Sequence, residues 1–139
     1  MFENPGKSAI DAFLRRIRSV AIIGLSATPG RPSYTVAKAL QKFGYRIVPV
    51  NPKAQEILGV PAWPDLESAI MGAGPVDVVE VFRRSEHVAA IVDDCIRLEV
   101  AALWLQEGVI DETAAQKARA AGIFTVMNRC MFRDRSTLE

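Results

Sequence analysis

The sequence predicts an α/β domain built on a doubly wound parallel sheet, with five main strands, a short edge strand and helices on both sides in three layers. Three observations predict it. Short apolar runs rich in β-branched residues alternate with segments of helical period along the whole chain. The runs are apolar on both faces, as parallel strands covered by helices on both sides must be. Polar and cationic residues follow the runs directly, at the strand ends where open parallel sheets bind ligands.

The elements follow in chain order. Ser8 and Asp11 have the spacing of a capping box and open a helix running through Ile17. Val20-Ala21-Ile22-Ile23 is the first strand. Ser33 is placed to cap a helix from Tyr34 to Phe43, which Gly44 ends. Ile47-Val48-Pro49-Val50 is the second strand. The stretch from Asn51 to Gly74 breaks the rhythm, with Pro52, Pro61 and Pro64 and a short helix near Leu66 to Met71. Within it, Gly59 to Trp63 fits a brief edge strand, a place that tolerates proline. Val76 to Val81 is the third main strand, and Ser85 is placed to cap the helix that runs through Leu98. Ala102 to Leu105 and Phe124 to Met127 complete the sheet, with a helix between them capped by Asp111 and stopped by Gly122.

Size and composition fit one domain spanning residues 1–139. Half of the residues are hydrophobic, and 17 Lys and Arg stand against 16 Asp and Glu, a formal charge of +1. That balance gives no long-range attraction for nucleic acid or an anionic membrane, and neither is expected as a partner. Cys95 and Cys130 form neither a disulfide framework nor a metal spacing, and no run approaches a membrane span. A reducing, cytoplasmic location is the expectation.

The loop after the first strand, Gly24 to Ser33, carries the most information. Gly24 turns the chain sharply, the next helix aims its first amides at the loop, and Arg31 adds a bidentate positive charge. These features suit a phosphate-bearing ligand. They are not the dinucleotide fingerprint: Ser26 occupies the second glycine position, and Pro29 and Pro32 lie in a longer loop without the third glycine. A plain Gly/Pro surface turn would share much of this composition. The second strand ends in Asn51-Pro52-Lys53, where NAD-binding sheets place an acid on the ribose hydroxyls. Asn51 and Lys53 favour a phosphorylated ribose instead, as in NADP or coenzyme A, although Asn-Pro is also a common turn start. The later strands end in Phe82-Arg83-Arg84, Gln106-Glu107-Gly108 and Asn128-Arg129-Cys130.

Catalytic constellations are not evident. His87 falls in a helical first turn, Cys130 reads as an inert thiol and Cys95 as helix core. Asp93-Asp94 reads as a solvated acidic turn, since adjacent helical residues do not share a face. Trp104 reads as sheet core.

Taken in order, Gly24-Leu25-Ser26 with Pro29, Arg31-Pro32-Ser33-Tyr34, Val48-Pro49-Val50-Asn51-Pro52, Val81-Phe82-Arg83, Trp104-Leu105-Gln106-Glu107-Gly108 and Asn128-Arg129-Cys130 resemble the stand-alone CoA-binding protein family. That family is related to the CoA-binding N-terminal domain of the succinyl-CoA synthetase alpha subunit, and the resemblance runs from about Ser19 to about Met131. It implies a Rossmann-like sheet with coenzyme A, free or acylated, lying across the strand ends. Gly24, Ser26, Pro29, Arg31 and Ser33 would surround the phosphates. Asn51, Pro52 and Lys53 would flank the adenosine and its 3′-phosphate, with Phe82, Arg83 and Gln106 toward the adenine or pantetheine. The synthetase domain that carries the phosphorylated histidine has no counterpart here, so the expectation is a non-catalytic binder, alone, as a homodimer or beside a larger enzyme. The competing expectations are a small NADP-dependent oxidoreductase and an interaction module that binds no nucleotide.

Overall fold

Five parallel strands form the central sheet of the computed structural model, which describes residues 1–138. In chain order these are β1 (Ser19–Ile23), β2 (Arg46–Val50), β5 (Val78–Val81), β6 (Ala102–Gln106) and β7 (Phe124–Arg129), and β3 (Glu56–Ile57) and β4 (Val60–Pro61) make a separate two-stranded hairpin. The spatial order is β2-β1-β5-β6-β7. From β1 the chain steps outward to β2, then returns across β1 to β5 and continues outward the other way. The direction therefore reverses between β1 and β5, and the crevice above their carboxyl ends is the ligand position of such sheets.

Strand residues alternate between two cores. Ala21, Val79, Val81, Leu103 and Leu105 face α3 (Leu66–Ala73), α4 (Val88–Arg97) and α5 (Glu112–Ala120). Val20, Ile22, Val78, Trp104 and Val126 face α1 (Lys7–Arg16), α2 (Pro32–Lys42) and α6 (Met131–Ser136). With three helices on each side, both faces of every central strand are dry. Trp104 is fully buried, and its indole donates to the Arg129 carbonyl at 2.8 Å. Burial pushes the Cys95 thiol up to about 12, as befits a core residue.

Several helix starts differ from expectation. Pro32 takes the first helical position of α2, which suits a residue without an amide hydrogen, so Arg31 becomes the N-cap and Ser33 lies inside the first turn. Ser85 opens a short 3-10 turn (Ser85–His87), and its Oγ accepts from the Ile110 amide across the loop instead of capping α4. α1 starts at Lys7 after Gly6 with no side-chain cap, and Asp11 pairs with Lys7 at 2.6 Å. Asp111 does cap α5, accepting from the Ala114 amide at 3.0 Å, and Asp65 caps α3 in the same way through Ser68. The outer strand is reduced to one parallel bridge between Val50 and Trp63, because Pro61 and Pro64 remove amides on either side. No helix among the described residues is long and apolar enough to cross a membrane.

Among the described residues, the buried polar strand residues Ser19, Gln106 and Thr125 are hydrogen-bonded, and one buried acid, Glu80, is not. Glu80 lies in register between Ile22 of β1 and Trp104 of β6, on the α1/α2/α6 side. It is 0 % exposed, and among the described residues neither carboxyl oxygen has a hydrogen-bond partner. Burial alone pushes its carboxyl up from the ordinary 4.5 to about 8.

Candidate functional site

The site begins where β1 ends. The Gly24 amide donates to the Val50 carbonyl at 3.2 Å and the Phe82 amide to the Ile23 carbonyl at 2.9 Å, lacing the ends of β1, β2 and β5 together. Gly24 then turns with φ +84°, and a Cβ there would collide with the Phe82 carbonyl oxygen and press on the Arg83 side chain. No other residue type fits this approach without moving β5.

Beyond Gly24 the loop holds its own shape. The Ser33 Oγ accepts from the Ser26 amide at 2.9 Å, the Ser26 Oγ accepts from the Thr28 amide at 3.0 Å, and the Arg31 amide closes on the Thr28 carbonyl. The first bond of α2 runs from the Thr35 amide to the Arg31 carbonyl, so the Ser33 and Tyr34 amides lie ahead of it at the positive end of the helix. Asn51 ties this loop to its neighbour. Its Nδ2 donates to the Leu25 carbonyl at 2.9 Å while its Oδ1 accepts from the Lys53 amide at 2.7 Å.

Two lobes of one groove run across the strand ends and meet at Gly24, Ser26, Phe82 and Arg83. The larger, about 620 Å³, continues over Asn51, Pro52 and Lys53 to Asp65 and, on α4, Ile91 and Asp94. The smaller, about 450 Å³, continues past Arg31 and Ser33 to Arg84 and Gln106. The groove thus brings together ten of the eleven residues singled out in the sequence; Pro29 is exposed in the loop and lines neither lobe. His87 is exposed and outside both lobes, and Cys130 is buried at the start of α6, also outside them. Ile91 and Asp94 escaped the sequence reading because nothing in a helical period reveals that α4 leans over the strand ends.

The groove lining carries both signs of charge, but its acids and its bases are engaged differently. Each lining carboxylate is already engaged: Asp65 by the Ser68 amide, Asp94 by Arg97 at 3.3 Å and Glu107 by Arg133 at 3.0 Å. The Ser68 amide holds the Asp65 carboxyl below its ordinary range, and Arg133 does the same for Glu107. Among the described residues, Arg31, Lys53 and Arg83 are exposed and make no ion pair. Gln106, 7 % exposed, accepts from the Met131 amide through Oε1 at 3.4 Å, joining the floor of the smaller lobe to α6. The whole suits an elongated ligand with several anionic groups, gripped by free guanidinium and ammonium groups and by the start of α2.

Comparison with known proteins shows the family and the fold. Residues 18–135 match a family model described as a CoA binding domain. An uncharacterized protein of Bacillus subtilis, YneT, is 38% identical over 129 residues, 93% of each chain. A 78-residue stretch, 56% of this chain, is 32% identical to 11% of a Methanocaldococcus jannaschii protein named acetate–CoA ligase [ADP-forming]. Among solved structures, a hypothetical protein from Pyrococcus horikoshii superposes with a TM-score of 0.88 at 30% identity, covering 99% of both chains. A protein from Thermus thermophilus gives 0.89 at 28%, covering 97% of this chain and all of the other.

Proposed function

This chain belongs to the CoA-binding domain family, and from that premise we propose that it holds coenzyme A or an acyl-CoA in the groove above β1 and β5. The observation that carries the proposal is the pairing pattern: every carboxylate in the groove is engaged, while Arg31, Lys53 and Arg83 are left for a ligand.

The start of α2 and Arg31 take the pyrophosphate, with Ser26 and Ser33 keeping the loop in shape for it. Lys53 takes the 3′-phosphate, and Pro52 flanks the adenosine. Asn51 acts by holding the two loops in register, since both ends of its amide are occupied. Phe82, Arg83 and Gln106 line the path of the remaining, largely uncharged part of the ligand. The role is holding the carrier. The ligase relative is far longer than this chain, and its activity is not part of the proposal.

Calorimetric titration of coenzyme A and dephospho-CoA into the wild type and Lys53→Ala tests this reading. Coenzyme A binds the wild type, and Lys53→Ala weakens it more than it weakens dephospho-CoA. Absence of binding at millimolar coenzyme A would refute the proposal. Equal losses for the two ligands would remove Lys53 from the 3′-phosphate.

A further inference from the structure

Glu80 lies directly beneath the groove. Advancing two residues along each strand from the Ile22, Glu80 and Trp104 layer reaches Gly24, Phe82 and Gln106, which form the groove floor. Two residues rise about 7 Å, so one layer of side chains separates the buried carboxyl from the ligand space.

The cover over this layer is apolar. α1 contributes Ile10, Phe13 and Leu14, α2 contributes Val36, Ala37 and Leu40, and α6 contributes Met131. The charged residues of these helices are Lys7, Asp11, Arg15 and Arg16 on α1, Lys38 and Lys42 on α2, and Arg133, Asp134 and Arg135 on α6, all exposed or half-buried. Two further titratable groups are buried on this side of the sheet. The Tyr45 phenol donates to the Leu14 carbonyl, and Cys130 precedes α6. None of them hydrogen-bonds Glu80, and among the described residues no cation compensates it.

A carboxylate in such a place must either keep its proton or gain water. Parting of the α2 and α6 layer of this cover from the sheet would open one such path for water. That layer carries Ser33, which holds the phosphate loop, and Met131, which holds Gln106. We propose that Glu80 makes this site proton-linked: with its proton bound, the α2/α6 layer is closed and the groove is set to bind, and loss of that proton to solvent loosens the layer and weakens the ligand. The identity of the ligand rests on the coenzyme A reading; the loosening does not. By reciprocity, the ligand strengthens proton binding at Glu80 as much as the proton strengthens the ligand.

Hydrogen exchange on the ligand-free protein at pH 6.5 and 9, corrected for intrinsic rates, is compared between wild type and Glu80→Gln, with Glu80→Leu as a second non-ionisable variant. Protection of residues 33–42 and 131–136 falls about tenfold or more in the wild type at the higher pH and stays level in the variants. Coenzyme A affinity, measured by calorimetry at the same pH values, drops about tenfold more in the wild type than in the variants, since titration of the ligand itself is common to all. Equal pH profiles for wild type and variants, in exchange or in affinity, would overturn the proposal. Failure of every protein to bind coenzyme A at pH 6.5 would instead overturn the ligand reading, and the exchange comparison would still decide whether Glu80 governs the layer.

Discussion

The backbone of Gly24 packs so closely on the carbonyl of Phe82 that no side chain can be added at residue 24 without displacing β5. This contact sets the depth of the groove, because it brings the loop after β1 down onto the neighbouring strand. Gly24→Ala meets both the steric clash and a φ of +84°, and is expected to destabilise the fold by about 1–3 kcal/mol and abolish measurable coenzyme A binding. Thermal denaturation and calorimetry check the two halves, and an alanine variant that binds normally would show that the approach is dispensable.

Asn51 works between loops rather than on the ligand. Removing its amide leaves the Leu25 carbonyl and the Lys53 amide without their partners. Asn51→Ala should cost about 1–3 kcal/mol of stability. Asn51→Asp retains the acceptor for Lys53 but turns an oxygen toward Leu25, so it should fail as well. Chemical denaturation of both variants measures this, and full stability of the aspartate variant would mean that the donor to Leu25 is unimportant.

Arg31 stands free of any ion pair among the described residues, so its loss should touch binding and spare the fold. Arg31→Ala is expected to weaken coenzyme A by about 1.5–3 kcal/mol, the scale of a charge-assisted contact, with an unchanged melting temperature. Unaltered affinity in a titration would take Arg31 out of the site.

Stability itself should carry the signature of Glu80. Its folded-state carboxyl is raised from 4.5 to about 8. The stabilisation from the protonated group is therefore complete below about pH 4.5 and is lost as the pH rises through about 8. Between those limits the folded state binds the extra proton, so unfolding free energy falls by about 1.4 kcal/mol per pH unit from this group. Denaturant midpoints of wild type and Glu80→Gln should diverge with that slope, and parallel curves would show that Glu80 ionises as freely in the folded chain as in the unfolded one.

Much of the fold was legible because buried parallel strands must be apolar on both faces, and Val20 to Ile23 or Ala102 to Leu105 admit few other readings. The caps were less so. A serine hydroxyl serves whichever amide lies nearest, and Ser33 and Ser85 serve amides of other loops, Ser26 and Ile110, which sequence proximity does not reveal. Pro32, a residue suited to the first helical position, was the available sign that α2 starts earlier. α6 went unread because its short, largely polar sequence buries a single residue, Met131. At the site, the residues following each strand could be gathered from the rule for parallel sheets, but not the lean of α4 that adds Ile91 and Asp94. Glu80 drew no separate reading within the strand expected from Val76 to Val81. Only the central place of β5, covered by helices on both sides, makes it a buried acid.

A thermal-shift series with coenzyme A, acetyl-CoA, NADP and NAD bears most directly on the assignment of the groove. At a hundred times its dissociation constant, coenzyme A should stabilise the protein by about 2.7 kcal/mol, with acetyl-CoA behaving alike and NAD giving no shift. No shift with millimolar coenzyme A, or a larger one with NADP, would contradict a groove built for coenzyme A.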